Sequence, residues 1–332
     1  MAVAPTKCTF GEYLTNEWLP AQKQRVAPKT YERWHGMVGS HIVPRLGGIA
    51  LKSLAERDLI GAYRDWSEGK GSRTLAPRSV LHVHRAIYHA LKRAVKLRLV
   101  GRNVAENVGD ELPRIQDREM LTLTEDQVVK LEVVLRGKDL EVPVLVAIDS
   151  GVRRGELLGL RWSDVDLEKR RIVVRRSLEQ TREGGLRFKE TKSGKVRVNV
   201  LTEETVAALR RHRARQNERR LLLGPTYQDD GLVFPSADGT PWNPDYFGKA
   251  FASLVASVPD LPKVRFHDLR HTSATILLRA GVATKVVSER LGHSTTTLTT
   301  DTYQHVIAGM DEDAAAKAGQ ALREARARLS SA

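Results

Sequence analysis

The chain has 332 residues, 41% of them hydrophobic and 28% charged, enough to bury a sizeable core in two domains or one large one, which excludes disorder. Its single cysteine, Cys8, excludes an internal disulfide and a cysteine-rich zinc site and suits a reducing compartment, and its longest clean apolar run, Val142 to Ile148, is too short to span a bilayer. The formal net charge is +14 and no signal or transit peptide is visible at the start, so a soluble, intracellular, basic protein is expected.

Residues 1–8 read as a tail and residues 9–108 as a helical domain. Residues 1–108 hold 18 Lys and Arg against 8 Asp and Glu, whereas residues 109–332 hold 36 against 32. Most of the positive excess therefore lies in the first third, and a polyanion partner is expected for it. Helix-like patterning covers Phe10–Gln22, Pro28–His41, Ala55–Ser67 and Ala76–Leu99, with Pro44, Gly47–Gly48 and Gly69–Gly71 as punctuation. On the last of these, Arg78, His82, Arg85, His89, Lys92 and Lys96 follow a 4-3-4-3-4 spacing and form one mostly basic stripe. Val80, Val83, Ile87, Ala90, Ala94 and Leu97 form the opposite, apolar stripe. A surface helix showing its solvated side is the plain reading; a helix lying along a DNA backbone fits the local charge better.

Residues 109–122 are polar, contain Pro113, show no period and read as a linker. A helix then begins at Thr124, where Thr124 with Gln127 makes a capping box and Leu123 with Val128 a hydrophobic staple. Helical patterns cover roughly 124–136, 140–150 and 155–160. Strands are expected at Arg171–Leu178, Leu186–Glu190 and Lys195–Leu201, with turn signals at Gly184–Gly185 and Ser193–Gly194. Thr202 caps a long charged helix to about Leu222, in which the run 210–220 spreads its basic residues around the whole surface and reads as solvated. Asn243–Pro244 starts another helix, two more follow near 267–280 and 283–291, and an Ala-rich amphipathic helix closes the chain at 314–329.

Four separated segments hold chemistry-bearing residues: Ser150-Gly-Val-Arg-Arg-Gly-Glu156, Thr191-Lys-Ser-Gly194, His267-Asp-Leu-Arg-His271, and Leu291-Gly-His-Ser294 with Asp301-Thr-Tyr303 beyond it. Taken singly, each has a bland reading: an arginine in an ion pair, a solvated turn lysine, a packed tyrosine. His267 and His271 at i, i+4 also make a zinc half-site, but no third ligand lies near and Arg270 would repel the metal.

Taken together and in order, the motifs SGVRRGELLGLRWSDVD, ETKSGKVRV, HDLRHTSATILLRAG and LGHSTTTLTTDTYQHV resemble the tyrosine recombinase (phage integrase) family, over about Thr9 to Ala316. The resemblance implies a mainly α fold with a small antiparallel β-sheet in two domains. These are a helical SAM-like core-binding domain at 9–108 and a mixed α/β catalytic domain at 123–313, which together clamp DNA from opposite sides. It also implies that the C-terminal helix, 314–332, docks on a neighbouring protomer; packing on its own core is the alternative. Carried over by position, Arg153 and Arg270 match the two catalytic arginines and Glu156 the acidic residue supporting the first. Lys192 matches the lysine between strands, His267 the first histidine, His293 the second His/Trp position, and Tyr303 the nucleophile.

The chemistry asks for these residue types. Displacement at a phosphodiester spreads negative charge over nonbridging oxygens, which two arginines stabilise through oriented donors. A tyrosine hydroxyl, with a pKa near 10, requires a base or a positive field; His267 is the candidate base or else a hydrogen-bond donor to the phosphate, Lys192 the candidate acid for the 5′-oxygen, and His293 its helper. The expected product is a 3′-phosphotyrosine with a free 5′-hydroxyl, rejoined without ATP. No metal and no cofactor are expected, since no carboxylates cluster as a two-metal site requires and no GK[ST] phosphate loop is present. The segment between His293 and Tyr303 reads as a turn and a short helix able to move the nucleophile.

The resemblance implies as partners double-stranded DNA with specific sites, a homotetramer on that DNA, and accessory directionality or DNA-bending proteins, all in the bacterial cytoplasm or nucleoid. Many integrases of this type carry an arm-type DNA-binding domain ahead of the core-binding domain. Here eight residues precede Thr9, which fits a short recombinase or a chain without that piece. The alternatives are an Xer-like resolution enzyme, a regulator that keeps the fold without turnover, a type IB topoisomerase and a metalloenzyme on His267 and His271.

Overall fold

The computed structural model describes residues 8–70, 74–115, 120–191, 194, 196–293, 295–308 and 311–330. The chain divides into two compact units, Met1–Arg118 and Glu119–Ala332.

The first unit is helical. Its opening helix starts on a capping box: the Thr9 N–H donates to Glu12 Oε2 at 2.8 Å and the Glu12 N–H donates to Thr9 Oγ1 at 3.2 Å. It runs through Phe10–Glu12, a π-helical turn Tyr13–Trp18 and Leu19–Gln22. The second helix repeats the device, with Pro28–Met37, a π-turn Val38–Ile42 and then Val43–Leu46. Pro44 therefore does not end this helix, contrary to the punctuation expected from sequence. In both helices a π-turn comes just before a proline, Pro20 or Pro44, whose ring would otherwise meet the carbonyl one turn back. Helices Glu56–Glu68 and Pro77–Lys96 complete the unit, around a core that includes Phe10, Tyr13, Trp18, Leu59, Tyr63, Val83 and Ile87.

On Pro77–Lys96 the sequence stripes separate as the spacing dictates. Val80, Val83, Ile87, Ala90 and Ala94 are buried, while Arg78, Arg85, His89, Lys92 and Lys96 are exposed and His82 is half-buried. Leu97 departs from the expected apolar stripe. The helix ends at Lys96, and Leu97, outside the helical register, stands 47% exposed. Of the expected linker, Leu112 packs on the first core, and residues 116–119 lie outside the described residues.

The second unit mixes helices with two small antiparallel sheets. Strands β1 (Val165–Asp166), β2 (Arg171–Val174) and β5 (Arg197–Val200) form one sheet, in the order β1-β2-β5; β3 (Arg176–Thr181) and β4 (Gly185–Glu190) form the other. The sequence reads Arg171–Leu178 as one strand, but it breaks at Arg175. There the buried Asp164 carboxylate takes Arg175 Nε at 3.4 Å and Arg176 Nη1 at 3.2 Å, and the two halves join different sheets. Helices Glu141–Ser150, Arg154–Leu158, Glu203–Leu223, Pro244–Ala256, Asp268–Arg279, Thr284–Leu291 and Thr296–Ala308 surround them, and Asp311–Ser330 follows. The main core includes Leu131, Val144, Leu157, Ile172, Phe247, Phe251 and Leu269. No helix among the described residues is long and apolar enough to cross a membrane.

Candidate active site

Arg153 is placed by a helix end and a helix start. Glu141–Ser150 stops on Gly151 in the left-handed region (φ +65°), where a side chain would be strained and its Cβ would lie 2.5 Å from Leu291 Cδ2. Two residues on, Arg153 is the extended N-cap of Arg154–Leu158. The Arg153 N–H donates to Glu156 Oε2 and its Nη1 to Glu156 Oε1, both at 2.9 Å, so the backbone and head of Arg153 share one anchor. Its Nη2 donates to Gly292 O at 3.3 Å.

Glu156 is 3% exposed and holds a second arginine. Arg197, on β5, donates from Nη2 to Glu156 Oε2 at 2.5 Å and from Nη1 to Oε1 at 3.1 Å. Burial alone would raise the Glu156 carboxyl, but the hydrogen bonds and charges of Arg197 and Arg153 overcome it and hold it at about 2. Beside Arg197, Asn199 Nδ2 donates to Ser150 O at 2.7 Å and to Arg290 O at 2.9 Å, and Arg290 Nη2 donates to Asp149 Oδ1 at 2.9 Å. The inner face of β5 thus stitches the Asp149–Glu156 segment to the end of Thr284–Leu291.

Sequence reasoning missed Arg197 and Asn199. Alternation in Val196-Arg-Val-Asn-Val200 suggests valines inward, yet Val196, Val198 and Val200 are about half exposed and the polar pair is inside.

Arg270 lies on Asp268–Arg279, 3% exposed, with Nη1 donating to Gly151 O at 2.7 Å. Its Nη2 is buried without a hydrogen-bond partner among the described residues. Burial, then Arg153 and Arg197, lower the Arg270 pKa to about 9. Three arginines against one carboxylate leave this cluster in want of an anion.

Tyr303 is fully buried, beside Ala274, Leu278, Val287 and Leu291. It breaks the helix Thr296–Ala308, with φ −116° and ψ 19°. Burial pushes its phenol up to about 12, against the pull of Arg270. The sequence offers His267 as base or phosphate donor; the hydrogen-bond partner of the Tyr303 hydroxyl in the structure is His271 Nδ1, at 2.9 Å. His267 is exposed, its ring edge-on to that of His271 at 5.5 Å. His293 follows the left-handed Gly292, its Nδ1 2.7 Å from the buried Thr299 Oγ1, and burial with Arg270 and Arg153 lowers its pKa to about 4. Lys192 lies outside the described residues; next to it, the Gly194 N–H donates to Thr191 O at 2.8 Å. The structure thus gathers Arg153, Glu156, Arg270, His293 and Tyr303 in one unit, with Arg197 and His271 added.

In the first unit, a recess of about 210 Å³ is lined by Trp18, Trp34, Arg25, His89, Lys92 and Lys96, among others. The His89 and Trp34 rings meet at a tilt, their centroids 5.7 Å apart. Among the described residues Arg78, Arg85, Lys92 and Lys96 form no salt bridge.

Residues 122–309 match the model of the phage integrase family, and residues 9–67 match the phage integrase N-terminal SAM-like domain. The chain is 33% identical over 204 residues to a XerC-like tyrosine recombinase of Caldanaerobacter subterraneus subsp. tengcongensis, a match covering 58% of this chain and 52% of that protein. An integrase of Streptomyces ambofaciens is 29% identical over 320 residues, covering 92% of this chain and 79% of the relative. Among solved structures, the Tn1549 transposon integrase in complex with a circular intermediate DNA superposes with a TM-score of 0.74 at 22% identity, covering 89% of this chain and 95% of that one. A lambda integrase dimer bound to a COC′ core site gives 0.63 at 16%, covering 88% and 94%.

Proposed function

We propose that this chain, which belongs to the phage integrase family, is a site-specific DNA recombinase of the tyrosine type that cuts and rejoins DNA through a 3′-phosphotyrosine. Arg153 and Arg270 take the nonbridging oxygens of the scissile phosphate, and Tyr303 Oη attacks its phosphorus. The bond to the 5′-oxygen breaks, and that oxygen receives a proton from Lys192 with help from His293. The phosphotyrosine ester retains the bond energy, so the reverse attack by a 5′-hydroxyl rejoins a strand without ATP.

The observation that carries this reading is Arg270. A buried arginine with one donor on Gly151 O and another without a partner, in a cluster of net positive charge, supports a phosphate seat. Because Tyr303 is fully buried, attack requires the segment from His293 to Tyr303 to shift so that the scissile phosphate reaches Tyr303 Oη beside His271 and Arg270. Cleavage by a variant stiffened in this segment tests the opening; an unchanged rate argues against it.

The stripe Arg78, His82, Arg85, His89, Lys92 and Lys96 binds the DNA backbone in this reading, supported by the exposure of all but the half-buried His82 and by the lack of a salt bridge at its Arg and Lys residues among the described residues. Integration and excision of a mobile element is favoured over chromosome or plasmid resolution, because the integrase match spans nearly the whole chain and the XerC-like match about half of it. The enzyme acts as a homotetramer on its sites in the bacterial cytoplasm or nucleoid, with accessory directionality or DNA-bending proteins as further partners, and Asp311–Ser330 docks on a neighbouring protomer. The test is covalent capture of nicked DNA by wild type and by Tyr303→Phe.

A further inference from the structure

The proton on the attacking hydroxyl has one visible destination. Tyr303 Oη and His271 Nδ1 are 2.9 Å apart, and no other hydrogen bond involves this hydroxyl among the described residues. His271 stands on Asp268–Arg279, one residue after Arg270, so the proposed phosphate seat and the ring share one rigid helical turn. His267, one turn earlier, is exposed and meets His271 by its ring alone.

We infer that His271 is a catalytic residue of the recombinase, the base that takes the proton from Tyr303 Oη as the oxygen bonds to phosphorus. The inference rests on the recombinase reading above. In the forward step Tyr303 O–P forms and P–O5′ breaks. The phenolic proton passes to His271 Nδ1, and the 5′-oxygen takes a proton from the separate acid. In the rejoining step the imidazolium returns its proton to the departing Tyr303 oxygen.

The state of the free ring suits this task. Burial, followed by His267 and Arg270, lowers the His271 pKa to about 4, so the ring is neutral at neutral pH and Nδ1 accepts when the ring proton is on Nε2. Asp268 works the other way, and Arg265 adds a further positive charge. A phosphate monoanion against Arg270 offsets the positive field and makes the ring more basic when the proton is to be moved.

The alternative is that the contact only holds Tyr303 down before DNA arrives. The experiment compares wild type, His271→Ala, His271→Gln and Tyr303→Phe in single-turnover adduct formation. The substrates are a nicked duplex carrying the site recovered from the wild-type adduct, and the same duplex with a bridging 5′-sulfur at the scissile phosphate. Binding of the uncut duplex by each variant verifies its fold. The expected result is a loss of about 10²- to 10⁴-fold for both His271 variants. The loss persists on the sulfur duplex, because a thiolate leaving group needs no acid whereas the tyrosine still needs a base.

Three results overturn the assignment. Wild-type or faster cleavage by His271→Ala would make the contact a holding one. Full activity in His271→Gln would leave it only a hydrogen-bonding one. Recovery on the sulfur duplex would place His271 on the acid side. No adduct with wild type, by contrast, overturns the recombinase reading itself and this assignment with it.

Discussion

The two units use arginine and lysine in opposite ways. On Pro77–Lys96 the cations Arg78, Arg85, Lys92 and Lys96 stand in solvent, without a salt bridge among the described residues. In the second unit Arg153, Arg197 and Arg270 are drawn into the protein around Glu156, which binds two of them. Exposed, unpaired charge confers affinity that salt erodes, because its gain comes from displacing counterions. Buried, oriented charge confers little affinity but stabilises a developing charge, because its donors are already in place. A third case lies between them: Glu203–Leu223 is as arginine-rich as either, yet Arg210, Arg215, Arg219 and Arg220 each face a carboxylate. The sign of the charge is the same in all three; partners and burial decide what it does.

The comparison breaks most easily at the buried cluster. Arg270→Ala is expected to cut the single-turnover cleavage rate by about 10²- to 10³-fold while saturating DNA still binds, which filter binding alongside gel-resolved adducts reads directly. Arg197→Met acts one step removed, through Glu156. A cleavage loss of roughly 10-fold is expected, together with a stability loss on the order of 3–5 kcal/mol in chemical denaturation, since it leaves a buried carboxylate with one partner fewer.

The same cluster carries a pH signature. The Glu156 carboxyl is depressed to about 2 from its ordinary 4.5, so its contribution is complete above pH 4.5 and is lost as pH falls toward 2. Unfolding measured across that window should lose roughly 3 kcal/mol, and Glu156→Gln should flatten the loss.

Smaller effects belong to the surface. Arg85→Ala and Lys92→Ala should each weaken DNA binding alike across sequences and lower the magnitude of the log–log salt slope by about 1, without slowing cleavage on saturating DNA. Arg210→Ala and Arg219→Ala on the compensated helix should change stability by less than about 0.5 kcal/mol and leave the salt slope in place.

How much of this was legible in the sequence follows from where each signal lives. The stripes of Pro77–Lys96 are local: a 3.6-residue period fixes both faces, and the reading failed only at Leu97, past the helix end. Pro44 misled because a proline predicts a break only if the preceding turn stays α-helical, and here a π-turn makes room for it. Arg197 was hidden because alternation gives two faces but not which one is inward. The usual rule, valines inside, is reversed on a strand whose buried side must hold Glu156 and Ser150 O. His271 was visible as a residue but not as a partner of Tyr303. The two lie 32 positions apart with no periodic signal to link them, and the i, i+4 spacing to His267 offers only a zinc half-site that lacks a third ligand. Lys192, expected at the turn before β5, lies outside the described residues.

The most direct test of the account is covalent capture. Wild-type protein and Tyr303→Phe are incubated with nicked genomic fragments from the source organism, denatured, and examined for protein-linked DNA. The account predicts an adduct for wild type, with the protein on a 3′-phosphate, and none for Tyr303→Phe, which should still bind. An adduct that survives in Tyr303→Phe, or its absence from a wild type that binds the same DNA tightly, would contradict it.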